Sequence, residues 1–329
     1  MKRDSNTSYL TFDQSSAIKG ALMLLIMLGH NHLIAPIGGQ LFRYLYSFHI
    51  FGFFILPFLY NKKISWDRKI AINSFVRMWI PYIVFYLFCY FTYHIIILKD
   101  NVNIIELLYG IVIANEGIIK DITGFGFLWF LPAYFSMSLF MMLFVKSSKY
   151  NYSLIFLVWL ILNYNSYFTY PSYNHLLSNI PFALIQGLYY FTFGFLTKLL
   201  LDKIPNIKYM GAFTFLIISV LFWFSSIKEI PYIFPISGFL FIYLFSNLLS
   251  KIPLLVEIGK LSFPIYLVHV IIYNILEKIL PNNILFGYLD FLFTLAISMF
   301  IAYWIVNIEL IRKLVLPKDW NDYKSVFSH

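Results

Sequence analysis

The chain has a single cysteine, Cys89, and it lies in an apolar run. That excludes a disulfide framework and any cysteine-based metal centre. Charge is scarce as well. Asp, Glu, Lys and Arg make up 12% of the 329 residues, about half the share a soluble domain carries. No glycine-rich phosphate loop, zinc-ligand spacing or serine-nucleophile elbow occurs, so no metal is expected. No internal repeat stands out, and no long polar stretch marks a separate soluble domain. The first apolar run is about 20 residues long and lacks a small-x-small cleavage site, so no cleaved signal peptide is expected.

What is present is apolar and aromatic, at 60% hydrophobic and 21% Phe, Trp and Tyr. The expectation is an all-α polytopic membrane protein, one integral membrane domain over residues 1–329. Ten stretches are long enough to cross about 30 Å of hydrocarbon. They are Ala17–Ile37, Leu41–Tyr60, Met78–Leu98, Phe127–Val145, Ser153–Phe168, Ile180–Leu200, Tyr209–Ile227, Tyr232–Leu249, Leu261–Leu280 and Ile284–Ile311. The segment Ile104–Ala114 is apolar but too short to span and reads as an interfacial or re-entrant helix. With the N-terminus inside, only Arg43, Lys99, Lys120, Lys228 and Lys278 of the 24 lysines and arginines fall outside. This positive-inside bias predicts about ten transmembrane helices with both termini cytoplasmic. It also gives the net charge of +9 a topological meaning, with no nucleic acid as partner. The loop 61–77 is the most basic stretch and is placed inside. The loop 99–126 carries Asp100, Glu106, Glu116 and Asp121 and is placed outside.

Lys19 and His30 stand eleven residues apart on the first apolar run. At about 100° and 1.5 Å per residue they share a helix face, about 16 Å apart along its axis. Lys19 then lies near one membrane surface and His30 near mid-membrane, where an ionisable ring is costly and a functional candidate by default. His49 and His269 fall at similar depth on the second and ninth spans. Each of those two also fits an ordinary buried histidine bonded to a backbone carbonyl. His32, His94 and His175 read as superficial or loop-borne and are assigned no role.

The chain resembles the acyltransferase 3 family of integral membrane acyltransferases along nearly its whole length. Lys19 and His30 match a basic residue, ten residues, histidine signature, in which the family more often has Arg first. FHIFGFFILPFLY resembles a second-span segment of the family but has Leu56–Pro57 where the family has Ser-Gly. FVRMWIPY resembles an Arg-x-x-Arg motif leading to Pro-Tyr, with Arg77 in the second place and Ser74 in the first. FLWFLPAYF, around Trp129 and Pro132, resembles a Trp-Phe-Leu-Pro segment. YFTFGFL around Gly194 and EIGKLSFPIYLVH, with Tyr266 and His269, resemble later segments of the family.

That resemblance implies transfer of an acyl group, usually acetyl, from cytoplasmic acetyl-CoA to a carbohydrate hydroxyl. The acceptor would be a surface polysaccharide or a lipid-linked glycan intermediate, such as O-antigen or capsule, at a bacterial inner membrane. Membrane lipid is then an obligate partner and glycan-assembly proteins are further candidates. The phosphates of the donor call for basic groups at the inner surface. Arg77 is the first candidate and Lys19 the second, with Lys62, Lys63, Arg68 and Lys69 as an attracting patch or simply a topological signal. Burial favours the neutral imidazole, so His30 is assigned as general base, with a transient acyl-histidine left open. Tyr266, His269 and His49 are candidate donors to the oxyanion. Trp129 reads either as an aromatic-belt residue or as a platform for a sugar ring. Glu116 and Asp121 read either as solvated carboxylates or as acceptors for sugar hydroxyls. The competing reading is a transporter or exporter of a lipid-linked sugar or polysaccharide. A non-catalytic partner in glycan assembly is the third.

Overall fold

Thr11 starts the first helix, α1 (Phe12–His30), through a capping box. Its hydroxyl accepts from the Gln14 N–H at 3.2 Å, while the Gln14 side chain accepts from the Thr11 N–H at 2.8 Å. In the computed structural model, which describes residues 9–59, 67–99, 103–144, 182–224, 233–281 and 283–327, the chain is helical throughout, with no strand among those residues. The helix α1 begins five residues before the expected span and stops at His30 instead of running on to Ile37. Hydropathy overlooks the polar cap at one end. At the other, Asn31 closes the helix and its side chain captures the Ile34 N–H at 3.0 Å, turning the backbone before Pro36.

The second expected span is broken. It comprises α2 (Gln40–Tyr46), α3 (His49–Ile55) and a 3-10 turn, Leu56–Leu59. Then α4 (Arg68–Phe91) continues into a π-turn, Thr92–Leu98. Asp67 caps it by accepting from the Lys69 N–H at 2.8 Å, so the helix opens ten residues before the expected Met78. Residues 68–77 of the expected basic loop are therefore helical. Next come α5 (Ile104–Ile113) and α6 (Glu116–Thr123), then a 3-10 turn at Gly126–Trp129 leading into α7 (Phe130–Phe144). The short helix expected at Ile104–Ala114 is present as α5. Beyond it, α6 was hidden by its polar residues, and Asn115 caps it with bonds to the N–H groups of Gly117 and Ile118 at 2.8 and 3.3 Å. The fifth expected span, Ser153–Phe168, lies outside the described residues.

Further along are α8 (Phe182–Lys203), α9 (Ile207–Phe224), α10 (Ile233–Leu244), α11 (Ser246–Leu249), α12 (Pro253–Lys260) and α13 (Ser262–Leu276). The last are α14 (Ile284–Asn307), α15 (Glu309–Val315) and α16 (Trp320–Lys324). Five helical segments among the described residues are long and apolar enough to cross a membrane: Gln40–Leu59, Arg68–Ile95, Gly126–Leu143, Ile207–Phe224 and Ile284–Asn307. A sixth arises if α12 and α13, bent by 83°, make one span. Ten spans were expected from the sequence.

The helix α14 shows why this is a membrane fold. Asp290, Thr294, Ser298 and Ala302, spaced by four, are fully buried, while Leu292, Phe293, Phe300, Tyr303 and Trp304 are exposed. A helix that hides its polar stripe and presents its apolar face is suited to lipid outside and protein inside.

The chain divides into two compact units, Met1–Lys62 with Phe193–Trp304, and Lys63–Thr192 with Ile305–His329. In the first, α1 crosses α12 at two glycines. A Cβ on Gly20 would strike the Leu255 carbonyl, and one on Gly259 would strike the Ser16 carbonyl, so only glycine permits this approach. At Gly52 a Cβ would meet the Leu22 side chain at 2.7 Å, which sets α3 against α1. The aromatic rings of Tyr44, Phe48, Phe215 and Phe234 join α2, α9 and α10. In the second unit α7 packs on α4, and the C-terminal helices α15 and α16 pack on α4 as well.

Candidate active site

In the first unit, three helices bring rings together at the C-terminal end of α1. The His30 ring centroid lies 5.2 Å from that of His269 on α13 and 6.0 Å from that of Tyr46 on α2. The Tyr46 ring meets His49, the first residue of α3, edge-on at 4.9 Å. Gly29 makes room for this arrangement, since a Cβ there would stand 3.0 Å from the Tyr46 ring. The Tyr46 hydroxyl is 3.4 Å from both nitrogens of His30, a long and weak contact. Tyr266 lies one turn before His269 on α13, its ring 5.9 Å from the histidine's. The four residues expected to carry catalysis therefore converge. The site gains Tyr46, which the sequence reading passed over although it stands three residues before His49.

Their surroundings differ. His30 is partly accessible, whereas His49 and His269 are fully buried. Nδ1 of His269 bonds to the Tyr266 carbonyl at 2.8 Å, and Nδ1 of His49 bonds to the Leu45 carbonyl. A carbonyl only accepts, so each ring carries its proton on Nδ1 and, when neutral, offers a lone pair at Nε2. In that state both rings accept hydrogen bonds. Nε2 of His49 is buried with no hydrogen-bond partner among the described residues.

Beside His30 lies a polar network the sequence reading missed. Asn31 is fully buried, and its amide donates to the Gly287 carbonyl at 2.8 Å and to Asp290 at 3.4 Å. The Asp290 carboxylate also accepts from the Thr294 hydroxyl at 3.3 Å. Gly287 allows the close approach, because a Cβ there would meet Leu33 at 2.9 Å. The network fixes the residue after His30, and so the end of α1. A carboxylate inside an otherwise apolar span was the available signal.

Lys19 lies on α1 three turns before His30 and one residue before the Gly20 crossing. Its ammonium makes no hydrogen bond or ion pair with any described residue, and it is half-buried. Such a group is suited to an anion.

The other expected site residues belong to the second unit. Arg77 is exposed on α4, and its Nε donates to the Lys318 carbonyl. Arg68 and Lys69 are exposed in the first turn of α4, while Lys62 and Lys63 lie outside the described residues. Trp129 is buried, with its ring stacked on Tyr190 at 5.9 Å and 22° between planes. One indole face is therefore already covered. Glu116 is exposed at the start of α6, close enough to interact electrostatically with Lys120 and Tyr190. Asp121 is exposed on the same helix. His32 is exposed as expected. His94, expected to be superficial, is buried and its Nε2 donates to the Ile122 carbonyl at 2.9 Å, because the π-turn carries it under α6. His175 lies outside the described residues.

A helical membrane protein with a histidine-centred polar site is the class these features define. The chain belongs to the acyltransferase 3 family: the family's acyltransferase domain matches it over residues 13–307, nearly its whole length. It is thus a membrane acyltransferase by family. No curated protein and no solved structure matches it.

Proposed function

We propose that the chain is a bacterial inner-membrane O-acetyltransferase, with both termini cytoplasmic, that moves acetyl from cytoplasmic acetyl-CoA to a hydroxyl of a surface polysaccharide or its lipid-linked intermediate. The observation that carries this reading is the convergence of His30, Tyr46 and His269 from three helices on one partly accessible imidazole, in a chain of the acyltransferase family. A neutral imidazole open to a ligand is a base, whereas one buried and bonded to its own helix is a support.

His30 takes the proton of the acceptor hydroxyl as that oxygen forms its bond to the thioester carbonyl carbon. The Tyr46 and Tyr266 hydroxyls donate to the oxygen that becomes negative. When the carbon–sulfur bond breaks, the imidazolium returns the proton to the departing thiolate, so His30 ends neutral. Lys19 and Arg77 are each a candidate partner for phosphates of the donor. Glu116 and Asp121 are the candidate acceptors for sugar hydroxyls, and Trp129, buried against Tyr190, is the candidate aromatic for a sugar ring.

Expression in a host that makes an unacetylated surface glycan tests this directly. Glycan acetate, read by mass spectrometry, should appear with the wild-type chain and vanish with His30→Ala at equal membrane abundance. Full acetylation by His30→Ala would remove His30 as the base. More glycan at the surface than in the host alone, with no acetate on it, would favour the exporter reading.

A further inference from the structure

The family match ends at residue 307, yet the chain continues into two ordered helices that reach back to α4. Arg312 on α15 forms a two-pronged ion pair with Asp322 on α16, at 2.6 and 2.8 Å. The same carboxylate accepts from the Lys318 N–H at 2.8 Å. Asp319 caps α16 by accepting from the Asp322 N–H at 2.9 Å, and the Ser325 hydroxyl donates to the Asp322 carbonyl at 2.7 Å. These bonds give the turn between α15 and α16 one shape.

That turn engages one stripe of α4. Asn73 and Arg77 are four residues apart and share a helix face. The Asn73 side chain accepts from the Trp320 N–H at 3.2 Å, and Arg77 Nε donates to the Lys318 carbonyl. A guanidinium is planar, so a bond at Nε fixes the direction of the whole group. The two terminal Nη groups have no protein partner among the described residues, and Arg77 is exposed. The unused edge is the one that binds two phosphate oxygens side by side.

We propose that the Leu316–Lys324 segment is a clasp that positions Arg77, occupying Nε so that the paired Nη groups face a phosphate of the acyl donor. This rests on the reading of Arg77 as a donor-binding residue. Asp322 and Asn73 are positioning residues, since they act through Arg77. The binding chemistry is that of any phosphate, and a lipid headgroup could also supply it.

Equilibrium binding of radiolabelled acetyl-CoA to the full chain tests the clasp, in nanodiscs of phosphatidylcholine and again with phosphatidylglycerol. Arg77→Ala should weaken binding about 10–100-fold, the loss of one charge-assisted pair of hydrogen bonds. Asp322→Asn and Asn73→Ala should each weaken it about 3–10-fold and raise hydrogen exchange over residues 316–327. The decisive arm uses Arg77→Lys, which has no Nε to be held. In that background Asp322→Asn should have no further effect on binding, whereas a general structural defect would add its full cost. Competition by inorganic pyrophosphate should weaken in parallel. Normal binding by Asp322→Asn and Asn73→Ala with impaired Arg77→Ala would overturn the clasp and leave Arg77 as a donor ligand. Normal binding by Arg77→Ala would overturn the donor role itself, and the clasp with it. Losses confined to phosphatidylglycerol discs would assign Arg77 to lipid headgroups, against the proposal.

Discussion

Polar groups around His30 are buried and held by buried carbonyls and side chains, whereas Arg77 is exposed and held by the C-terminal turn. His269 is locked by a carbonyl of its own helix and His49 by the Leu45 carbonyl of α2, and Asn31 by Gly287 and Asp290, more than 250 residues away. Each bond there is made out of reach of water, so losing one strands its partner. The Arg77 side chain is instead set by an ion pair and main-chain bonds near solvent, where each contact is weak and screened. The first arrangement is suited to a proton transfer that requires a fixed ring. The second is suited to a charged ligand that must arrive and leave.

The comparison breaks most sharply at His30. Replacement by Ala should reduce transfer by about 10²–10⁴-fold, the range of a lost general base, with donor binding unchanged. Arg77→Ala should do the reverse, weakening donor binding by one to two orders of magnitude while turnover at saturating donor is largely kept, as read by initial rates over a range of acetyl-CoA. The buried network should respond in stability. Asp290→Ala leaves the Asn31 amide without its carboxylate, at a cost of about 1–3 kcal/mol, visible as a lower midpoint in a thermal unfolding assay in detergent. Thr294→Val should cost less, because it removes one 3.3 Å bond.

The smallest effect belongs to the clasp and depends on pH. The Arg312 hydrogen bonds, aided by the Lys318 N–H, hold the Asp322 carboxyl down to about 2, below the ordinary carboxylate value near 4. A depressed acid stabilises the fold while ionised. Its contribution is therefore complete above pH about 4 and is lost as pH falls through about 2. Solvent screening limits it to the order of 1 kcal/mol. Hydrogen exchange over residues 316–327 should rise across that window in the wild type, and Asp322→Asn should be loose at every pH.

Much of the fold was legible because apolar runs and their punctuation survive in sequence. The shared face of Lys19 and His30, the short helix at Ile104–Ile113 and the last span from Ile284 all follow from periodicity. The errors have local causes. Thr11 and Asp67 are polar caps, so hydropathy begins α1 and α4 too late. Arg68 and Lys69 read as loop because they are charged, although they occupy the first turn of α4. Asn31 and Asp290 went unnoticed because one carboxylate hardly alters the mean of an apolar window, and their pairing depends on contacts across 259 positions. The histidine tautomers could not be read at all, because they are set by which carbonyl each Nδ1 meets.

The most direct measurement is binding and turnover of radiolabelled acetyl-CoA by the purified chain in nanodiscs, with wild type, His30→Ala and Arg77→Ala side by side. A base at His30 and a donor ligand at Arg77 predict that His30→Ala binds but does not turn over, and that Arg77→Ala loses binding. Turnover by His30→Ala at the wild-type rate, or no binding by any of the three when all are folded, would contradict that division of labour.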